Sequence, residues 1–435
     1  MSAPVPMRFL GPWATLSAAD RAALVDRSSK ANSTVVRDAA SLVADVRARG
    51  DVALREQVRR FDGVELESLE VPRPVMRRAL DGTPRDLRRA LDRAIRNLDS
   101  VHSAFKPVPQ RVQPEPGITI GRRPDPLDRV GIYAPGGRAA YPSSVLMAAV
   151  PARIAGVREV ILASPPGPNS LPSDTVLAAA QLAGVHRVFS IGGAGAIAAM
   201  AFGTDSVPRV DRIVGPGNAY VAAAKLLVVG DTAIDAPAGP SELMVVCDAT
   251  ADPDIVAGEM LAQAEHDPLA CVVAVAVGVS VAAGILRAIN SAVTGAARRD
   301  TVLEAFAGQG GVITVSTIDE ATDLVRNYAP EHLLLSVDDP GAVLPAIRNA
   351  ATVFVGHSSS VAFGDYMTGA NHVLPTGGAA RSYSGLSTTD FVRWTTWQAI
   401  EPAAARSLAD DVAIFASSES LPGHAAAAAR WSASR

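Results

Sequence analysis

Hydrophobic and polar positions follow different rhythms along this chain. Between residues 34 and 101, apolar positions recur every three or four residues against a heavily charged background, as in VVRDAASLVADVRARGDVALREQVRRFDGV and RPVMRRALDGTPRDLRRALDRAIRNLDSVHSAF. That spacing predicts amphipathic helices with wet outer faces. Their arginines read as solvated helix sides paired with Asp and Glu; a partner-binding surface is the other reading. The Pro-rich stretch PQRVQPEPGITIGRRPDPLDR then predicts an extended segment or a hairpin.

The texture changes at residue 129. RVGIYA, EVILAS, HRVFSI and VDRIVG are short apolar runs, each followed by a Gly/Pro/Ser turn and an alanine-rich segment such as SSVLMAAVPARIAG or SDTVLAAAQLAG. Unbroken apolar strands between helices predict a parallel sheet covered on both faces, so residues 130–241 form one doubly wound unit. A second begins at ELMVVCD and continues through CVVAVAV, GGVITV and ATVFVG. The fold class is therefore α/β, with two Rossmann-like units and helical extensions at both ends. The expected division is a helical extension over 1–30, one α/β domain from 31–129 and 242–386, a second over 130–241, and a helical tail over 387–435. Ligands in such folds collect at the carboxyl ends of strands, which points to the turns APGGRAAYPSS, GGAGA, GPGN and APAGPSE.

Composition narrows the function. The chain has 435 residues, 48% of them hydrophobic and 19% charged, so it can bury a large core. A net charge of −4, with no basic run interleaved with aromatics, argues against nucleic acid. No segment approaches 18 apolar residues without a break, and the N-terminus lacks a basic start followed by an apolar core; a soluble cytoplasmic protein with no membrane partner is expected. Cys247 and Cys271 sit inside apolar runs and read as buried thiols, with a disulfide or ligand role as the alternative.

Candidate chemistry is concentrated in a few polar clusters. In LAQAEHDP, Asp252 and Pro253 start a helix that Asp267-Pro268 stops, so Gln263 and His266, three residues apart, share one face near its C-terminus. They either solvate a helix end or offer a carbonyl oxygen and an imidazole nitrogen to a cation such as Zn²⁺. Glu331 beside His332, Asp365 in GDY, His372 after Asn371, and Glu419 with His424 around LPG put further imidazoles next to acids or amides, as a metal or proton-transfer site requires. Gly193, Gly195 and Ala198 match G-x-G-x-x-A, with Asp211 at a suitable distance, but such glycines also arise in α/β turns without a ligand.

Together these strings resemble histidinol dehydrogenases. RVGIYAPGGRAAYPSSVLMAAVPARIAGV, VDRIVGPGNAYVAAAK, IDAPAGPSE, LAQAEHDP, YAPEHLLL, GDYMTGANHVLPTGGAARSYSGLS and ESLPGH carry the resemblance over nearly the whole chain. The resemblance implies a zinc enzyme that oxidises L-histidinol to L-histidine through histidinal with NAD. It implies Gln263, His266, Asp365 and His424 as metal ligands, the last supplied by the partner of a homodimer that exchanges its C-terminal tail. It further implies Glu331 and His332 as the acid–base pair, Ser241, His372 and Glu419 as contacts to a small-molecule substrate, and Tyr133 and Asn218 as contacts to NAD. Two departures stand out: Gly195, where the family usually has Gln, and the stretch GHSSSVAFGDY before the metal Asp. They leave a paralogue acting on another alcohol as an alternative. From other classes, a metal-dependent hydrolase using Glu331 or a non-catalytic zinc-binding protein needs no NAD.

Overall fold

The structure is a computed structural model that describes residues 4–27, 33–136, 140–237 and 239–432. Parts of the expected N-terminal extension and C-terminal tail, and Gly137, Arg138 and Ala139 of the APGGRAAYPSS turn, lie outside the described residues. In chain order the strands are β1 (Phe9–Pro12), β2 (Glu70–Val71), β3 (Gln110–Glu115), β4 (Ile118–Pro126), β5 (Arg129–Tyr133), β6 (Glu159–Ser164), β7 (Arg187–Ser190) and β8 (Arg212–Val214). There follow β9 (Ala233–Ile234), β10 (Glu242–Cys247), β11 (Cys271–Val277), β12 (Gly310–Val315), β13 (His332–Ser336), β14 (Thr352–Val355) and β15 (Val392–Ile400).

Both expected doubly wound units are present. One sheet runs β2-β7-β6-β5-β8-β9 and the other β1-β12-β11-β10-β13-β14. In each, the first strand of the unit, β5 or β10, lies between the second and the fourth. The order reverses there, as in a mononucleotide-binding half. All six residues of β10 are buried, because helices cover both faces of its sheet.

Three boundaries differ from expectation. Helices Ser33–Arg49, Asp51–Asp62, Arg73–Asp81 and Arg85–Ala104 form as the periodicity predicts, but they pack chiefly on the β5 sheet, and the last also meets Met367 and shares its core cluster with Val373 and Leu386. Val43, Val46, Leu54 and Val58 pack on one side of the β5 sheet, and Met76, Leu91 and Leu98 on the other. An apolar stripe specifies burial but not the surface it meets, so helix pattern alone left this partner open. At the N-terminus, the expected helical extension also contains β1, which pairs in parallel with β12 and buries Phe9 completely. At the other end, residues 387–435 begin with a 3₁₀ turn and β15 before helices Pro402–Ser418 and Pro422–Ala429. β15 pairs antiparallel with β4, and the Pro-rich stretch forms the β3–β4 hairpin beside it. No helix among the described residues is long and apolar enough to cross a membrane.

Candidate active site

The two units face each other across a cleft of about 1460 Å³ lined by Tyr133, Asn218, Ser241, Gln263, His266, Glu331, His332, Asp365 and His372. Tyr133 ends β5 and Asn218 follows β8, so the first unit contributes the carboxyl ends of its strands, as expected. The second unit contributes the opposite ends. Ser241 immediately precedes β10, Glu331 immediately precedes β13, and His332 is the first residue of β13. The carboxyl-end expectation thus fails for this sheet: the chain enters β10 directly from the first unit, through the APAGPSE segment.

The catalytic candidates are tightly held. His332 and Glu331 are each about 95% buried or more. The Nδ1 of His332 donates to the Glu242 carbonyl at 2.8 Å, a tautomer assigned from this partner. In the neutral ring Nε2 then carries the lone pair, and it has no hydrogen-bond partner; the nearest acid is Asp365 Oδ1 at 3.6 Å. Glu331 Oε2 accepts the Glu242 N–H at 2.6 Å and lies 3.5 Å from His332 Nδ1. Burial pushes the Glu331 carboxyl up, with His332 opposing. Burial pushes His332 down, but Glu331 and Asp365 outweigh it and hold the imidazole well above its usual range. Burial also acts to raise Asp365, yet His332, His372 and His266 keep it below the ordinary carboxylate range. The His372 Nδ1 donates to the Asp365 carbonyl at 2.8 Å.

The metal candidates come together only in part. Helix Pro253–Ala264 begins as expected, with Asp252 accepting from the Asp254 N–H at 2.9 Å and Pro253 as its first residue. Gln263 is buried at its other end, where its side-chain nitrogen has no partner. His266 lies beyond the helix end, exposed, and lines the cleft together with Asp365 and His372. The Gln263 amide, through its oxygen, with the His266 imidazole and the Asp365 carboxylate makes a set of ligating atoms that suits a divalent cation. Among the described residues, no group of three or more His, Cys, Asp or Glu forms a ready cage. Glu419 and His424 are exposed and do not line this cleft in the single chain.

On the first unit's side of the cleft, Tyr133 is buried and its hydroxyl accepts the Gly193 N–H at 3.1 Å. Asn218 caps helix Ala219–Leu227, accepting from Tyr220 and Val221. The GPGN loop between them is fixed by a buried ion pair: Lys225 Nζ donates to the Gly215 carbonyl and to Asp235, whose other oxygen accepts the Gly215 N–H at 2.8 Å. Gly215 has φ +114°, and a Cβ there would stand 2.2 Å from the Tyr133 carbonyl oxygen. Asp211 is not part of this site; its carboxylate accepts the Arg129 N–H at the start of β5, the opposite end of the sheet. The G-x-G-x-x-A match therefore lacks its acidic partner. A Cβ on Gly195 would lie 2.3 Å from Gln57 Oε1, so Gln57 fills the space beside this departure from the family pattern. His357 of the GHSSS stretch bonds Ser336 and Thr250 beyond the carboxyl ends of β13 and β10, away from the cleft.

Reasoning from sequence missed Arg27, Glu242, Lys225 and Asp235. A lysine in the alanine-rich AYVAAAKLL and a glutamate heading the apolar ELMVVC were visible signals; Arg27 had none.

Comparison with known proteins agrees with this geometry. The family model for histidinol dehydrogenase matches residues 25–431. The histidinol dehydrogenase of Methanothermobacter thermautotrophicus is 42% identical over 402 residues, 92% of this chain and 94% of that protein. That of Xanthomonas campestris pv. campestris is 43% identical over 420 residues, covering 96% and 97%. A crystal structure of histidinol dehydrogenase from Elizabethkingia anophelis superposes with a TM-score of 0.94 at 30% identity, covering 99% of each chain. With the match spanning both units and the cleft between them, the chain belongs to the histidinol dehydrogenase family and is an oxidoreductase.

Proposed function

We propose that the protein oxidises L-histidinol to L-histidine with NAD⁺ in the cleft between its two units. The observation that carries this reading is the buried Glu331–His332 pair, with the unpartnered His332 Nε2 in a cleft also lined by Tyr133 and Asn218 of the other unit. Converting a primary alcohol to a carboxylate removes four electrons. Two NAD⁺ are consumed in turn: alcohol, water and two NAD⁺ give carboxylate, two NADH and three protons. In its neutral form His332 Nε2 takes the hydroxyl proton as the first hydride leaves, so turnover requires a pH high enough to strip the proton that Glu331 and Asp365 stabilise on this ring. Glu331, its carboxyl raised by burial, is suited to accept a proton from the water that adds to the aldehyde before the second hydride departs. Ser241 and His372, which also line the cleft, would contact the substrate. Tyr133, at the end of β5, and Asn218, on the loop whose Gly215 is held on both backbone groups, would contact the dinucleotide.

Gln263, His266 and Asp365 would hold a zinc ion, which when bound supplies a Lewis acid that orients the substrate's nitrogen donors. His424 and Glu419 would reach this cleft from a second copy of the chain. Support for such a dimer comes from the C-terminal helices, which leave Ile414, Phe415 and Trp431 more than half exposed. The test is NADH formation from L-histidinol by the purified protein before chelation, after it and after zinc is restored. Activity lost on chelation and recovered with zinc supports the reading. No NADH from zinc-replete protein, with turnover of another alcohol, replaces histidinol as substrate.

A further inference from the structure

We infer that Arg27, from the N-terminal segment, is a positioning residue that holds the Glu331–His332 pair in place through Glu242. Arg27 and Glu242 form a two-pronged ion pair, Nε to Oε1 and Nη2 to Oε2, both at 3.0 Å, with each side chain 2% exposed. The remaining guanidinium hydrogens are also satisfied: Nη2 donates to the Tyr328 carbonyl at 2.8 Å, and Nη1 to those of Leu24 and Val25. The guanidinium lies 3.2 Å from the centre of the Tyr328 ring. Planar donors in a fixed fork make this arrangement specific to arginine.

Glu242 is the connecting residue. Its side chain is fixed by Arg27 and by the Gly377 N–H, which donates to Oε1 at 2.8 Å. Its backbone meets both catalytic candidates at once, the N–H on Glu331 Oε2 and the carbonyl on His332 Nδ1. Movement of Glu242 therefore moves both. Loss of Arg27 would also leave the Glu242 carboxylate buried without a countercharge near Glu331, whose carboxyl already feels it.

This inference rests on the proposed function for its kinetic arm only. The experiment compares Arg27→Met, Arg27→Lys and the double variant Arg27→Met/Glu242→Gln with the wild type. Readouts are kcat and KM with L-histidinol and NAD⁺, zinc content, and hydrogen exchange of substrate-free protein at the starts of β10 and β13. In Arg27→Met, kcat is expected to fall about 10²-fold, with KM for NAD⁺ and zinc content little changed. Exchange should accelerate at both strand starts. Arg27→Lys, with charge but no fork, should fall between, and the double variant should regain about tenfold by removing the stranded charge. Wild-type kcat in Arg27→Met, or a loss of kcat with unchanged exchange at both strands, overturns the inference. If Arg27→Met does not fold, Arg27→Lys carries the same two criteria. If the wild type does not oxidise histidinol, the functional reading fails, and unchanged exchange in the variants would separately overturn the clamp.

Discussion

Replacing Lys225 with methionine strands a buried carboxylate under the GPGN loop. Its side chain is 4% exposed and that of Asp235 8%, and the pair grips both the N–H and the carbonyl of Gly215. Methionine keeps the apolar stem but removes the charge and the donor to Gly215. Breaking a buried pair from one side costs about 3–5 kcal/mol, because the remaining ion keeps its desolvation penalty and loses its partner. The Gly215 N–H still donates to Asp235, which places Lys225→Met toward the lower end, about 3 kcal/mol. Against a total stability of about 5–15 kcal/mol, that is a large fraction. The double variant Lys225→Met/Asp235→Asn removes both charges and should lie within about 1–2 kcal/mol of wild type. Urea unfolding of the wild type, both single variants and the double variant forms a cycle, with an expected coupling above about 2 kcal/mol. NAD⁺ affinity in Lys225→Met should weaken about tenfold, the worth of one positioned hydrogen bond. A loss below about 1 kcal/mol in Lys225→Met, or a double variant no more stable than the worse single, would refute this reasoning.

His332→Asn removes the unpartnered Nε2 and should lower kcat by about 10²- to 10⁴-fold with zinc content unchanged; wild-type turnover would reject the base. Asp62, at a helix C-terminus, has its carboxyl pushed up to about 6 by burial, against an ordinary value near 3.8. The folded protein thus binds this proton more tightly than the unfolded chain, so stability falls as pH rises from about 4 to 6 and is level above that. Asp62→Asn should remove that slope and gain about 1 kcal/mol at pH 7 in urea unfolding, a figure discounted for its partial exposure. Gly195→Ala should cost about 1 kcal/mol by displacing Gln57 from its bond to the Leu42 carbonyl, and should cost nothing in a Gln57→Ala background where that bond is already gone; an equal effect in both backgrounds would show the contact to be slack.

Local chemistry in the sequence reached the fold and most of the cleft. Asp252 and Pro253 mark their helix start, and the strand–turn–helix rhythm marks both sheets, because caps and apolar runs act within a few residues. Nine of the eleven site candidates line one cleft, the two outside being Glu419 and His424. What stayed hidden was long-range. Arg27 meets Glu242 across 215 positions, and nothing near Arg27 in sequence signals that partner. Asp211 had suitable spacing but lies at the wrong end of its strand, because spacing along a chain does not fix which sheet edge a residue reaches. The helices over 33–104 were visible as helices, yet only packing shows that they cover the β5 sheet.

The most direct test counts NADH formed per L-histidinol consumed by the zinc-replete protein, with the product identified. The expected result is two NADH and one L-histidine per histidinol, which requires both oxidations in the one cleft. One NADH with histidinal released, or no NADH at all, would contradict the assignment of Glu331 and His332 to a four-electron reaction.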